Sequence, residues 1–551
     1  MSSKNFFLII TLVLLSHLAS AQLMKAKEIF SKADSLRGML TPLRTCYDIQ
    51  YYHLDIQVDI KNKSIAGSNL FRFKANDTFS RLQFDLFENL SVDKVEYQGK
   101  SLPFEREYNA VFVDFPQAIE KGKLDSFTVY YSGTPIQATR APWDGGFDWK
   151  KDKNGKPWVA TACQGLGASV WWPNKDHLSD EVDSMLISVS VPKDLINVSN
   201  GRLVKVEANG NFKKYHWKVR NPINNYNVAL NVGDYAHFSE KYSGEKGTLD
   251  IDYYVLKENK EKLPHLKKNV HETLDAFEHW FGPYPFYEDG YKIVETAHLG
   301  MEHQSAIAYG NKYINGYLGN DGSGTGWGKK WDFIVVHESG HEWFGNNITA
   351  KDLADMWIHE SYTNYSEALF IDYHYGKKAS AEYVNGNRRG IRNDSPIQGP
   401  YGVNKEGSGD MYVKGGVLHH MIRTIVADDE KWRELLRGLN KTYYHQTVTY
   451  KDIISYLNKE SGIDLSKVFG QYVQHTEIPV LEIKFIDENS AKFRWISEVK
   501  GFNMPIDIGL KGKNKQRFYP TTEFQELKLD GLTKQSLDVD LFNYYIQLSV
   551  Q

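Results

Sequence analysis

The sequence predicts a multidomain α+β fold: a long all-β stretch, a mostly helical stretch, and a short β stretch at the C-terminal end. Three observations predict it. From about Cys46 to Phe238 apolar and polar residues alternate with period two; from about Lys257 to Gln474 apolar residues recur at three- and four-residue spacing; after Pro479 the alternation returns. With 551 residues, 41% hydrophobic and 25% charged, the composition is that of an ordinary globular protein. The length suggests about three domains. Lys+Arg 66 against Asp+Glu 69 gives a net charge of −3 with no long run of one sign, so no nucleic-acid partner is expected.

The segments follow in order. Residues 1–21 read as a signal peptide: Lys4 precedes the apolar run Phe6 to Leu15, and Ala19-Ser20-Ala21 has the small-x-small pattern of a cleavage site. That run falls well short of the roughly 20 residues needed to span a bilayer, which disfavours a membrane anchor. No Cys follows the cleavage site, and no second stretch of 18 apolar residues occurs, so the expected mature protein has no transmembrane segment and is exported to the periplasm or the medium. Residues 22–45 form a leader. Residues 46–250 alternate as in Leu186-Ile187-Ser188-Val189-Ser190-Val191, predicting an all-β domain of sandwich or saddle type. Residues 251–476 carry the helical periodicity, with helices expected over Leu263 to Phe281, Trp331 to Phe344, Asp352 to Tyr375 and Tyr412 to Ala427; residues 477–551 make a small β domain. Two cysteines, Cys46 and Cys163, are compatible with one disulfide or with two buried thiols.

The chemistry is concentrated in the helical part. His337-Glu338-Ser339-Gly340-His341 is an H-E-x-x-H motif, and residues four apart on a helix share a face, so both imidazoles can reach one metal ion while Glu338 stands beside it. A tetrahedral catalytic zinc needs a third protein ligand and an open position. Glu360, eighteen residues beyond His341, is the preferred third ligand; His359 is its rival and points about 100 degrees away on the same helix, so only one of them can face the metal. Phe344 and Asn347 stand where a metzincin has Gly and a third His, which excludes that class.

These residues carry a resemblance. His337-Glu338-x-x-His341-x-Trp343-x-Gly345-Asn346, then Trp357-Ile358-x-Glu360, resembles the M1 aminopeptidases, zinc gluzincins that include aminopeptidase N. Trp280-Phe281-Gly282-Pro283-Tyr284-Pro285-Phe286, Gly300-Met301-Glu302 and Tyr412-x-Lys414-Gly415 match further family segments in the right order. The resemblance implies a β-saddle N-terminal domain, a thermolysin-like catalytic domain and a small C-terminal β-sandwich. Many members add a large helical C-terminal domain, for which this chain ends too soon.

The resemblance also implies roles. One zinc ion held by His337, His341 and Glu360 would polarise the scissile carbonyl and acidify its water, with Glu338 as general base. Tyr412 would donate to the oxyanion, and Glu302 would pair with the free α-amine of a peptide substrate, with Gly300 and Met301 of the same segment also substrate-binding. Gln164, in Cys163-Gln164-Gly165-Leu166-Gly167, resembles a second amine contact at the first subsite. Two departures from the family pattern stand out: His303 where an Asn is usual, and Ser361 where a Gly follows the third ligand. Glu342 and Glu367 are candidates to orient the ligands. The expectation is an exported zinc aminopeptidase acting on oligopeptides with a free N-terminus. A metalloendopeptidase would share the zinc set but ignore the amine. A non-catalytic peptide-binding protein on the same scaffold would be expected to lack a ligand or the base, and none is missing.

Overall fold

A computed structural model describes residues 29–551; the expected signal peptide and the first residues of the leader lie outside them. The three-part architecture is observed. An eight-stranded sheet dominates the N-terminal part, ordered Arg202–Asn209, Phe212–Val219, Met185–Pro192, Tyr47–Asp59, Ser64–Ala75, Leu124–Gly133, Leu90–Tyr97 and Lys100–Leu102. Its neighbours are antiparallel except where Tyr47–Asp59 meets Met185–Pro192 in parallel. Along Tyr47–Asp59 the residues Leu54, Ile56 and Val58 are buried while Asp55 and Gln57 are not, which is the alternation read from the sequence. A three-stranded and a four-stranded sheet complete this part.

A five-stranded sheet then runs Tyr235–Gly244, Gly247–Leu256, Tyr291–Glu295, Ile307–Tyr309 and Gly300–Met301. Residue 250, the boundary expected from periodicity, falls inside Gly247–Leu256. That strand pairs in parallel with Tyr291–Glu295 and antiparallel with Tyr235–Gly244, and its residues are shared between the two core clusters. Both regions supply strands at the junction, so periodicity does not register this shared sheet.

The helix Leu263–Phe281 has the bounds the spacing predicts. Three others are shorter than expected: Phe333–Gly340, Trp357–Tyr375 and Val413–Val426. In each case a capping residue or a 3-10 turn takes the first positions. Two C-terminal sheets, of four and three strands, follow Pro479.

The apolar interior forms two clusters. One belongs to the N-terminal sheets and reaches Met301 and Ala308; the other joins the helices to the C-terminal sheets, from Trp280 and Trp343 through Phe469 to Trp495 and Tyr544. Cys46 and Cys163 are both free and buried in the N-terminal cluster, so they do not pair. Trp171 and Trp172 are fully buried there too, as packing rather than an exposed stacking surface. No helix among the described residues is long and apolar enough to cross a membrane.

Candidate metal centre and substrate cleft

Asp332 starts the Phe333–Gly340 helix: its Oδ1 accepts from the N–H of Ile334 at 3.1 Å and of Val335 at 3.4 Å. Its Oδ2 is held by the Tyr309 hydroxyl at 2.7 Å, which ties the helix to the five-stranded sheet. His341 lies one residue past the helix but keeps right-handed dihedrals (φ −64°, ψ −22°), so it leaves the same face as His337. The Trp357–Tyr375 helix brings Glu360 in on its first turn. Glu360 Oε2 lies 3.3 Å from His341 Nε2 and 3.8 Å from His337 Nε2. One ligand atom from each of the three residues fits within a 4.8 Å group.

A tetrahedral zinc with bonds of about 2.0–2.1 Å separates its donors by about 3.3 Å. The outer imidazole nitrogens are already engaged, His337 Nδ1 with Glu367 Oε1 at 2.8 Å and His341 Nδ1 with the Phe344 carbonyl at 3.0 Å, which leaves both Nε2 atoms for a metal. Glu360 Oε2 is buried without a hydrogen-bond partner. A bare carboxylate oxygen facing two imidazole lone pairs is stabilised by a cation, and the nitrogen and oxygen donors suit zinc. The residues fit one zinc ion. His359 does not compete: its Nε2 accepts the N–H of Ala350 at 2.7 Å and the side chain is fully buried.

Glu338 sits beside the three ligands in the same buried pocket. Burial pushes its carboxyl up to about 7, with His337 opposing the shift and Glu302 adding to it. Gly300 makes room for it, since a Cβ there would lie 2.5 Å from Glu338 Oε1. Gly300 and Met301 form a two-residue edge strand that pairs with Tyr309 and Ala308. That strand delivers Glu302 to the cleft, where one of its oxygens falls within 4.8 Å of ligand atoms of Glu338 and His341. Glu302 Oε1 accepts from the Tyr226 hydroxyl at 3.1 Å, and its backbone carbonyl accepts from Asn346 Nδ2 at 2.9 Å. Burial raises its carboxyl above the usual range, against the attraction of His341.

Gln164 Nε2 donates to Glu360 Oε1 at 2.8 Å, so it braces the expected third ligand as well as lining the cleft. Tyr412 precedes the Val413–Val426 helix rather than lying on its face, with its ring 6.0 Å from that of His337. Burial, then Glu360, holds its hydroxyl well above its ordinary value, so it stays a donor. Together these side chains line a cleft of about 710 Å³.

The two undecided carboxylates part ways. Glu367 takes His337 on one oxygen and the Tyr383 hydroxyl, at 2.6 Å, on the other. Glu342 instead accepts the N–H of Ser305 at 2.8 Å and touches no ligand. His303 is fully buried with both ring nitrogens unpartnered and does not line the cleft; burial lowers it to about 3, so it is neutral. Sequence reasoning missed Tyr226 and the bond from Asn346. The only signal for either was that Asn346 belongs to the extended motif.

Comparison with known proteins gives matches at the level of family and fold. The family model described as the peptidase M1 N-terminal domain matches residues 49–226, and the peptidase family M1 domain matches residues 267–472. A probable aminopeptidase 2 from Sulfurisphaera tokodaii is 22% identical, over 84% of this chain and 59% of its own length. Aminopeptidase N from Lactobacillus helveticus is 22% identical, over 80% of this chain and 52% of its own. The chain thus spans little more than half the length of these curated relatives. The crystal structure of a mutant M1 zinc metallopeptidase from Deinococcus radiodurans, bound to a Tyr-Ser-Ala substrate, superposes with a TM-score of 0.64 at 18% identity. It covers 78% of this chain and 95% of that one, and shows a shared fold.

Proposed function

Since the chain belongs to peptidase family M1, we propose that it is a zinc-dependent aminopeptidase that hydrolyses the N-terminal peptide bond of oligopeptides. The observation that carries this reading is the position of Glu302: a buried carboxylate converging with Glu338 and His341 on one point of the cleft. When bound, zinc supplies a Lewis acid that polarises the scissile carbonyl and acidifies water. Glu338 takes a proton from the attacking water and passes it to the leaving amine. Tyr412 donates its hydroxyl hydrogen to the developing oxyanion, a contact whose loss typically costs about a hundredfold or more in rate. Glu302 holds the substrate α-ammonium in a charge-assisted bond, with Gln164 as a neutral second contact; this fixes the register so that one residue leaves at a time.

Export is part of the proposal. It rests on the sequence pattern of residues 1–21, and N-terminal sequencing of the secreted protein should begin at Gln22. The catalytic reading is tested with zinc-loaded protein and paired fluorogenic amino-acid amides, one with a free α-amine and one acetylated. Cleavage of the free form only, abolished by Glu338→Gln, is expected. Equal or faster cleavage of the blocked form would move the protein to the endopeptidases.

A further inference from the structure

The cleft has two walls, and the one that faces the substrate amine has an unassigned charge. Six carboxylates line the cleft: Asp144, Glu302, Glu338, Glu360, Glu367 and Glu406. Asp144 is spent on the N–H groups of Thr139 and Arg140, and Glu367 on His337 and Tyr383. Glu360 and Glu302 are bonded to Gln164 and Tyr226. Only Glu338, which moves protons in the proposed reaction, and Glu406 have neither hydrogen bond nor ion pair among the described residues.

The loop that carries Glu406 is docked on the cleft wall. Asn404 Nδ2 donates to the Gly165 carbonyl at 2.9 Å, which docks the loop on the turn that carries Gln164. From behind, the leader helix Lys32–Gly38 ends directly against it: a Cβ on Gly38 would lie 2.4 Å from Asn404 N. Glu406 therefore stands on the same wall as Gln164 and Glu302. A first side chain leaves from the carbon that bears the amine, so it runs along this wall. Leu166, Met301 and Trp143, the last 67% exposed at the rim, offer apolar surface for a methylene stem. The charge balance agrees. Glu406 is an exposed residue of the cleft lining; crowding by the cleft walls, then repulsion from Glu360 and Glu302, raises its carboxyl above the usual range, and a cation bound beside it relieves that repulsion.

Resting on the aminopeptidase reading, we propose that Glu406 is the counter-ion for a basic first side chain, so that peptides beginning with arginine or lysine are favoured. The carboxylate pairs with the guanidinium or ammonium while the stem packs on the apolar wall.

The test has a binding arm and a turnover arm. Calorimetry on zinc-loaded Glu338→Gln protein compares L-argininamide, L-lysinamide and L-leucinamide, and is repeated with Glu406→Gln added. In parallel, kcat/KM is measured for wild type and Glu406→Gln on the matching fluorogenic amides. The basic ligands should bind at least tenfold tighter than leucinamide. Glu406→Gln should cut the arginine-to-leucine ratio at least tenfold in both arms. Equal binding of the three ligands, or a parallel loss for all of them in the variant, overturns the proposal while free-amine cleavage keeps the aminopeptidase reading alive. A basic binding preference that depends on Glu406 without any cleavage supports this assignment and sinks that reading instead.

Discussion

The two walls of the cleft are built by different means. The metal wall comes from two adjacent helices, Phe333–Gly340 and Trp357–Tyr375, which share one apolar core; both histidine ligands are backed by a residue from those helices or the turn after the first, and only Glu360 takes its bond from Gln164 across the cleft. The substrate wall is assembled from a turn at Gln164, an edge strand at Gly300–Met301 and a loop at Glu406, held together by single hydrogen bonds from Asn404 and Asn346. The first wall depends on helical spacing and cooperative packing. The second depends on contacts between separate segments, the longest of them Asn404 to Gly165 across 239 positions. Mutations on the metal wall should therefore change metal content or kcat, and those on the substrate wall should change discrimination between substrates.

The largest expected effect is Glu338→Gln, which should lower kcat by about a thousandfold while zinc content, read by metal analysis, is unchanged. Loss of zinc along with activity would mean that Glu338 helps to hold the metal, and would blur the distinction between base and ligands. Next is Glu302→Gln. It should cost about a hundredfold in kcat/KM on free-amine substrates, and shrink the ratio between free and acetylated ones by a similar factor. A loss shared equally by blocked substrates would assign Glu302 to the metal wall. Glu367→Ala removes the partner of His337 Nδ1, and zinc affinity in a chelator competition should weaken about 10- to 100-fold. Smallest is Tyr226→Phe. It deletes one hydrogen bond onto Glu302 and should raise KM by up to about tenfold with kcat kept.

The same contrast explains what could be read from the sequence. His337, His341 and Glu360 were legible because their geometry is local: two residues one turn apart, and a third in the first turn of the next apolar-periodic helix. His359 and Glu360 are neighbours on one helix, so the sequence could say that only one faces the metal; the bond from Ala350 to His359 leaves Glu360 as the one grouped with the two histidines. Gln164 was legible only through family resemblance, and its bond to Glu360 spans 196 positions that no periodicity records. Tyr226 and Glu406 lack any sequence signal, since a tyrosine in a β-rich stretch and a glutamate in a loop are both commonplace. The sheet that runs across residue 250 was not legible for a related reason: strand pairing, unlike strand propensity, is not a local property.

The two buried thiols have a practical consequence. Cys46 is 5% exposed and Cys163 1%, and burial pushes the Cys46 thiol up to about 11 and raises Cys163 further. The thiolate is the form that attacks an alkylating reagent, so the folded chain should be almost inert to such reagents at neutral pH. Both cysteines lie in the N-terminal cluster, apart from the core that supports the metal wall. Labelling of the unaltered protein thus serves as a built-in clock for opening of the N-terminal sheets, and comparing that clock with the decay of activity on warming would tell whether the two cores come apart together or in turn.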